Sequence, residues 1–178
     1  MSKFDANTDK TSNTPMKTTI LLFVIISLFT RCSSEKNIMP EGSITGYEYV
    51  YSGTMAHPIK YYKVERDADG VLGLHFSEYT PEVTVYRVPE ETLAFIDSVV
   101  REAKLYKLST SYRPTVEILD GYGWYLCISY EGGNISSGGE NAYPPKNLDA
   151  GIDRINNHLQ ELLSTFTDAD ILTRYERN

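Results

Sequence analysis

At 178 residues, with 24 acidic against 17 basic side chains and a net charge of −7, the chain is long enough for one domain with a real hydrophobic core. The acidic balance excludes sequence-independent nucleic-acid binding, which needs clustered Lys and Arg to displace counterions from phosphates, and it disfavours direct adhesion to anionic lipid. With only Cys32 and Cys127 present, a disulfide framework is excluded as well.

Residues 1–15, MSKFDANTDKTSNTP, are polar, mixed in charge and aperiodic, so translation from Met16 is the simplest expectation and an unusually long leader the alternative. From Met16 the sequence runs MKTTILLFVIISLFTRCSSEK, with thirteen uncharged residues between Lys17 and Arg31. A helix crossing a ~30 Å hydrocarbon layer at ~1.5 Å per residue needs about 20. A basic flank followed by a shorter apolar run is the layout of a secretory signal peptide.

The run ends at Cys32, followed by SSEKN. This resembles the bacterial lipoprotein signal in the relaxed form found in Bacteroidetes-type lipoproteins, with Arg31 where a small residue is usual and Phe29 in place of an aliphatic one. The resemblance implies that the Cys32 sulfur is joined to diacylglycerol and becomes the first residue of the mature chain. At ~0.8 kcal/mol per buried methylene, one acyl chain binds marginally and two or three hold firmly. An uncleaved anchor and ordinary secretion are the alternatives. The expected organisation is an N-terminal extension and signal peptide over 1–31, a lipidation cysteine and flexible tether over 32–44, and a single globular domain over 45–178.

Past the tether, TGYEYVYSG alternates, with Tyr47, Tyr49 and Tyr51 on one face of a strand. Ile59–Arg66 and Val71–Ser77 form the arms of a hairpin with Asp69-Gly70 at its tip. A fourth strand, EVTVYRV, ends at Val88. Pro89 suits the first turn of a helix, which Glu90 and Glu91 favour through the dipole. Leu93, Ile96, Val100 and Ala103 form its apolar stripe, and the helix is expected to end near Lys107.

Ser109–Asp120 reads as a loop with a short strand at Val116–Leu119. In GWYLCISYEGGNISSGG, Trp124, Leu126, Ile128 and Tyr130 share one face, Gly132-Gly133 makes the turn, and Asn134–Ser137 return. Pro144 and Pro145 hold ENAYPPKN extended. Asn147 is placed to cap a last helix whose inner face is Leu148, Ile152, Ile155, Leu159, Leu162 and Phe166. From Asp168 the tail is weakly patterned. The order ββββαββα gives an α+β fold, one antiparallel sheet of about six strands with two helices on one face.

The residues Trp124-x-Leu126-x-Ile128-x-Tyr130, Gly133, Ser137-Gly138-Gly139 and Asn141-x-Tyr143-Pro144, with the amphipathic helix after them, resemble a domain of unknown function that recurs in secreted and lipid-anchored bacterial proteins. The likeness covers about residues 117–165. It implies an extracytoplasmic location and assigns no catalytic residue.

Motifs for chemistry are weak or missing. ERDADGVLGLHF suggests a calcium loop through Asp67, Asp69 and Gly70, but the twelfth position, where a bidentate Glu is required, is Phe76. His57, His75 and His158 lack ligand spacing. No G-x-S-x-G, S-x-x-K or phosphate-binding loop occurs, and SSGGEN leaves a hairpin rather than entering a helix. Cys127 in WYLCISY has no cationic neighbour and reads as a small, inert, buried side chain. No metal, cofactor or catalytic residue is therefore expected.

All 14 tyrosines follow Cys32. Tyrosine suits half-exposed strands, and it also gives rigid contact area with a hydrogen-bonding tip. Tyr47, Tyr49, Tyr51 and Tyr143 are the candidate interaction surface, expected on the sheet face away from the helices. The expected protein is a lipid-anchored, extracytoplasmic cell-envelope module, attached through its anchor to a bacterial membrane, the outer membrane first. It would bind an envelope protein or glycan and no nucleic acid. The alternatives are a small envelope hydrolase assembled from loops near 53–58, 109–123 and 138–145, and an assembly subunit.

Overall fold

In the computed structural model, residues 38–53, 58–116, 118 and 121–177 are described. They form one antiparallel sheet of seven strands with two helices. The strands are β1 (Ile44–Ser52), β2 (Pro58–Arg66), β3 (Leu72–Glu78), β4 (Glu82–Arg87), β5 (Gly123–Tyr130), β6 (Gly133–Glu140) and β7 (Ile171–Glu176). The helices are α1 (Glu91–Ala103) and α2 (Lys146–Thr165). Across the sheet the order is β6-β5-β1-β2-β3-β4-β7. The α+β class is as expected, with one strand more.

The extra strand is β7, in the tail that reads as weakly patterned. It pairs antiparallel with β4, Val83 opposite Tyr175 and Val85 opposite Thr173. Its alternating residues Thr173 and Tyr175 have ordinary strand propensity, but a six-residue edge strand buries too little to leave an apolar signature. Packing also begins earlier than residue 45, because Met39 rests on the core and the Glu41 carbonyl accepts the Gly132 N–H at 3.0 Å.

The period-2 rule decides what the sheet buries. Register places Tyr47 opposite Ile128 and Val64, Tyr49 opposite Leu126 and Tyr62, and Tyr51 opposite Trp124. These side chains share the face covered by α1 and α2, where Leu126, Ile128, Ile96, Ile155 and Leu159 are fully buried. Each such aliphatic contributes roughly 1.5–3 kcal/mol. The helices approach closely at Gly151, where an added Cβ would stand 2.6 Å from the Ala103 Cβ and 2.9 Å from Leu105 Cδ2.

Several local expectations need correction. Helix α1 stops at Ala103 because Lys104 turns left-handed (φ 59), and Leu105–Lys107 continue as a single tight turn that buries Leu105. Val116 and Ile118 are exposed; the strand contact in that loop is a parallel bridge between Tyr112 and Gly139. The β5–β6 turn is Glu131-Gly132, since Tyr130 already pairs with Gly133, and β6 continues to Glu140. Asn147 lies inside the first turn of α2, whose Leu148 and Asp149 N–H groups are accepted by the Pro145 carbonyl.

Trp124 explains the glycine at 139. Its indole Nε1 donates to the Ala142 carbonyl at 2.7 Å, and a Cβ on Gly139 would fall 2.3 Å from both that nitrogen and the Ala142 oxygen.

The opposite face of the sheet is polar on the β1–β3 side, with Glu48, Lys63, Glu65 and His75. Toward β4 it holds a second small cluster. Tyr61, Ser77, Val83 and Val85 are buried there, and the Arg177 guanidinium lies 4.2 Å above the Tyr61 ring. Among the described residues no helix is long and apolar enough to cross a membrane.

Candidate functional site

The alternation that sets Tyr47, Tyr49 and Tyr51 on one side of β1 sends them under α2, not to the open face where a recognition surface was expected. Burial then grades along the strand. Tyr47 is 2 % exposed and unavailable to a partner, which corrects its assignment to the candidate surface. Tyr49 and Tyr51 are half-buried, and Tyr143, 50 % exposed, stands above them on the segment leading into α2.

Between this edge of the sheet and α2 runs a groove of about 360 Å³. Its floor and one wall are Tyr49, Tyr51 and Tyr62, with Ile59 as the aliphatic contribution. Tyr143 and Tyr79 form its rims. The other wall is α2, which presents Asp153, Asn156, Asn157 and Gln160, a spacing of three, one and three residues that keeps all four on one helical face. Lys60 and Glu78, ion-paired at 3.1 Å, also line it.

Two hydrogen bonds anchor the amide wall. The Tyr47 hydroxyl donates to Asn156 Oδ1 at 2.7 Å, and the Tyr62 hydroxyl donates to Gln160 Oε1 at 2.8 Å. Both rings are nearly fully buried. On the rim, Tyr143 stacks on Tyr122 with centroids 4.8 Å apart, and Tyr122 in turn lies 5.8 Å from Tyr51. Burial pushes the phenol pKa values of Tyr47 and Tyr49 upward, reinforced by neighbouring tyrosines and Asp153. Burial likewise raises that of Tyr143, beside Tyr51. Tyr47, Tyr49 and Tyr143 are therefore neutral phenols across the physiological range.

Tyr79 is distinctive. It is 75 % exposed and has φ of 55, in the left-handed region that an aromatic residue seldom adopts. Its N–H donates to the Ile59 carbonyl at 3.1 Å, which fixes this conformation at the β3–β4 turn.

The remaining candidates separate. Cys32 and His57 lie outside the described residues. Asp67 closes the β2–β3 turn, its Oδ1 accepting the N–H groups of Asp69 and Val71 at 2.9 and 2.8 Å, so its carboxylate is engaged in the hairpin. His75 sits 3.6 Å from Glu65 and 3.1 Å from the Tyr175 hydroxyl; burial lowers its pKa, against the opposing pull of Glu65. His158 stacks on Phe95 at 3.9 Å on the flank of α2, its pKa also lowered by burial. Cys127 is half-buried on the face away from the helices, not in the core as expected, with Asn134 Nδ2 at 3.8 Å.

A larger depression, about 560 Å³, lies on that same face above Gly46. Its cations are already matched, Lys63 to Glu65 at 2.7 Å and Arg66 to Glu90. It is a polar saddle without a stacking surface, and the aromatic groove is the better candidate site.

Tyr62, Tyr79, Asn156 and Gln160 escaped the sequence reading. The available signal was the stripe Asp153, Asn156, Asn157 and Gln160 at helical spacing, amides where a solvated helix face usually carries charge. Fold and groove together define an α+β domain with an aromatic-lined groove between sheet and helix. No protein-family model, curated protein or solved structure shows a significant match to the chain.

Proposed function

We propose that this is a non-catalytic binding module of the bacterial cell envelope, tethered to membrane through lipid on Cys32, and that the groove between the sheet and α2 holds its ligand. One observation carries the reading: half-buried and exposed tyrosines converge with a stripe of amides in a concave site. Concave, largely preformed sites lined by aromatic surface and a few placed polar groups are where ligands bind. The groove offers stacking faces and hydrogen-bond donors, the chemistry of holding a molecule.

The test uses the full chain, purified with its native modification, and insoluble envelope material from the host. Wild-type protein is expected to sediment with that material, and a Tyr51→Ala/Tyr143→Ala variant with an unchanged circular dichroism spectrum to remain in the supernatant. Equal sedimentation of both overturns the groove as the binding site. Release of new reducing ends during the incubation overturns the non-catalytic assignment in favour of a hydrolase. For the tether, Cys32→Ala is expected to shift the protein from the membrane to the soluble fraction; unchanged partition refutes lipidation at Cys32.

A further inference from the structure

We infer that the ligand of the groove is a neutral glycan, gripped by donors on α2 that two buried tyrosines aim from below. The inference rests on the groove being the binding site and adds the class of molecule it takes.

The argument begins with the amides. A primary amide has one carbonyl oxygen and an NH₂ group with two donors. At Asn156 and Gln160 the oxygen is engaged by the hydroxyls of Tyr47 and Tyr62. Each NH₂ is thereby turned away from the buried hydroxyl, and both residues line the groove. The two positions are one helical turn apart, about 6 Å along the axis. Tyr47 and Tyr62 are thus positioning residues: their rings fill the core, and their hydroxyls fix which end of each amide faces a ligand.

Donors fixed on one wall and aromatic faces on the other match a sugar ring. Its C–H faces stack on tyrosine, its hydroxyl oxygens accept from the amides, and its hydroxyl protons are received by Asp153. That carboxylate has no ion-pair partner among the described residues. A peptide would use the site poorly, since anchoring side chains seek dry, well-packed pockets, and Ile59 is the single aliphatic lining residue.

Charge narrows the class. Asp149 and Asp153 lie close enough that, after burial, the Asp153 charge is what raises the Asp149 pKa. Glu78 is neutralised by Lys60, so the excess charge around the groove is negative and disfavours uronates or phosphorylated sugars.

The test is an array of neutral oligosaccharides built from glucose, galactose, mannose and N-acetylglucosamine, with polygalacturonate as the anionic control, probed with the full chain. Binding to a neutral probe is expected, weakened about tenfold or more by Asn156→Asp and Gln160→Glu, which keep the shape and the tyrosine bond but replace donors with acceptors. Tyr47→Phe, which leaves the ring in the core, is expected to weaken binding less and to reduce selectivity between epimers, a readout that a purely structural role would not move. Preference for polygalacturonate, or neutral binding indifferent to the two isosteric substitutions, overturns the inference. If no neutral probe binds while Tyr51→Ala/Tyr143→Ala still abolishes sedimentation with envelope material, the groove stands and the glycan assignment falls. If a neutral probe binds but ignores those tyrosine substitutions, the groove itself is wrong.

Discussion

Tyr79 offers a measurable conflict between stability and recognition. A non-glycine residue held in the left-handed region costs roughly 1–3 kcal/mol, and Tyr79 is held there with φ of 55. Replacement by glycine removes that strain but adds back ~0.5–1 kcal/mol of backbone entropy in the unfolded chain. The lost ring is 75 % exposed, so about a quarter of an aromatic burial disappears, about 0.5 kcal/mol. Tyr79→Ala isolates that loss, because it removes the ring and retains the strain. The N–H bond to the Ile59 carbonyl survives in both variants. Tyr79→Gly is therefore expected to exceed Tyr79→Ala in stability by about 1 kcal/mol, which at a urea m-value of about 2 kcal/mol/M separates their midpoints by about 0.5 M. Both variants should lose affinity for envelope material to the same extent, since each lacks the rim ring. An alanine variant as stable as the glycine variant refutes the strain; full retention of binding by either removes Tyr79 from the site.

Gly139→Ala should destabilise the domain by about 1–3 kcal/mol, because the new methyl collides with Trp124 and the Ala142 carbonyl; a lowered midpoint with red-shifted Trp124 emission checks it, and an unchanged midpoint contradicts the packing described. At high pH the tyrosines dominate. Folded pKa values of Tyr47 and Tyr49 stand above the ordinary 10.0 because of burial, so their contribution is complete below that value and is lost as pH rises through the folded pKa. The phenolate absorbance of the buried tyrosines is expected to appear together with loss of circular dichroism, and ionisation of every tyrosine with the fold intact would contradict it. At low pH the sign reverses: His75 and His158 have folded pKa values below 6.5 through burial, so stability is present above that value and is lost as pH falls through the folded ones. A His75→Gln/His158→Gln variant should flatten the decline between about pH 7 and about pH 5, where most carboxylates stay ionised; an unaltered slope shows that these rings do not contribute.

How much of this was legible follows from which physical signals are local. Trp124, Leu126, Ile128 and Tyr130 alternate because one face of β5 is buried and the other is not, and the same rule exposes Tyr125 at 42 %. The apolar stripes of α1 and α2 are legible for the same reason at helical period. Strand β7 is not, because its partner β4 lies more than eighty residues away and an edge strand needs little apolar surface. The shifted β5–β6 turn is a matter of one residue, Gly132 or Gly133, which composition alone does not resolve.

The tyrosines show the limit most clearly. Alternation groups Tyr47, Tyr49 and Tyr51 on one face but carries no information on which face the helices cover, because a tyrosine suits both a core and a surface. What separates them is the lie of α2. Over Tyr47 the helix supplies Asn156 as a partner for the buried hydroxyl; toward Tyr51 the strand runs on to the segment bearing Tyr122 and Tyr143, whose rings stack instead of sealing the edge. The same side-chain type thus serves as core filler, amide positioner and rim within one strand and its neighbours. Asn156 and Gln160 carry the complementary half of the signal, since only a packed structure reveals that their oxygens are already engaged by the Tyr47 and Tyr62 hydroxyls.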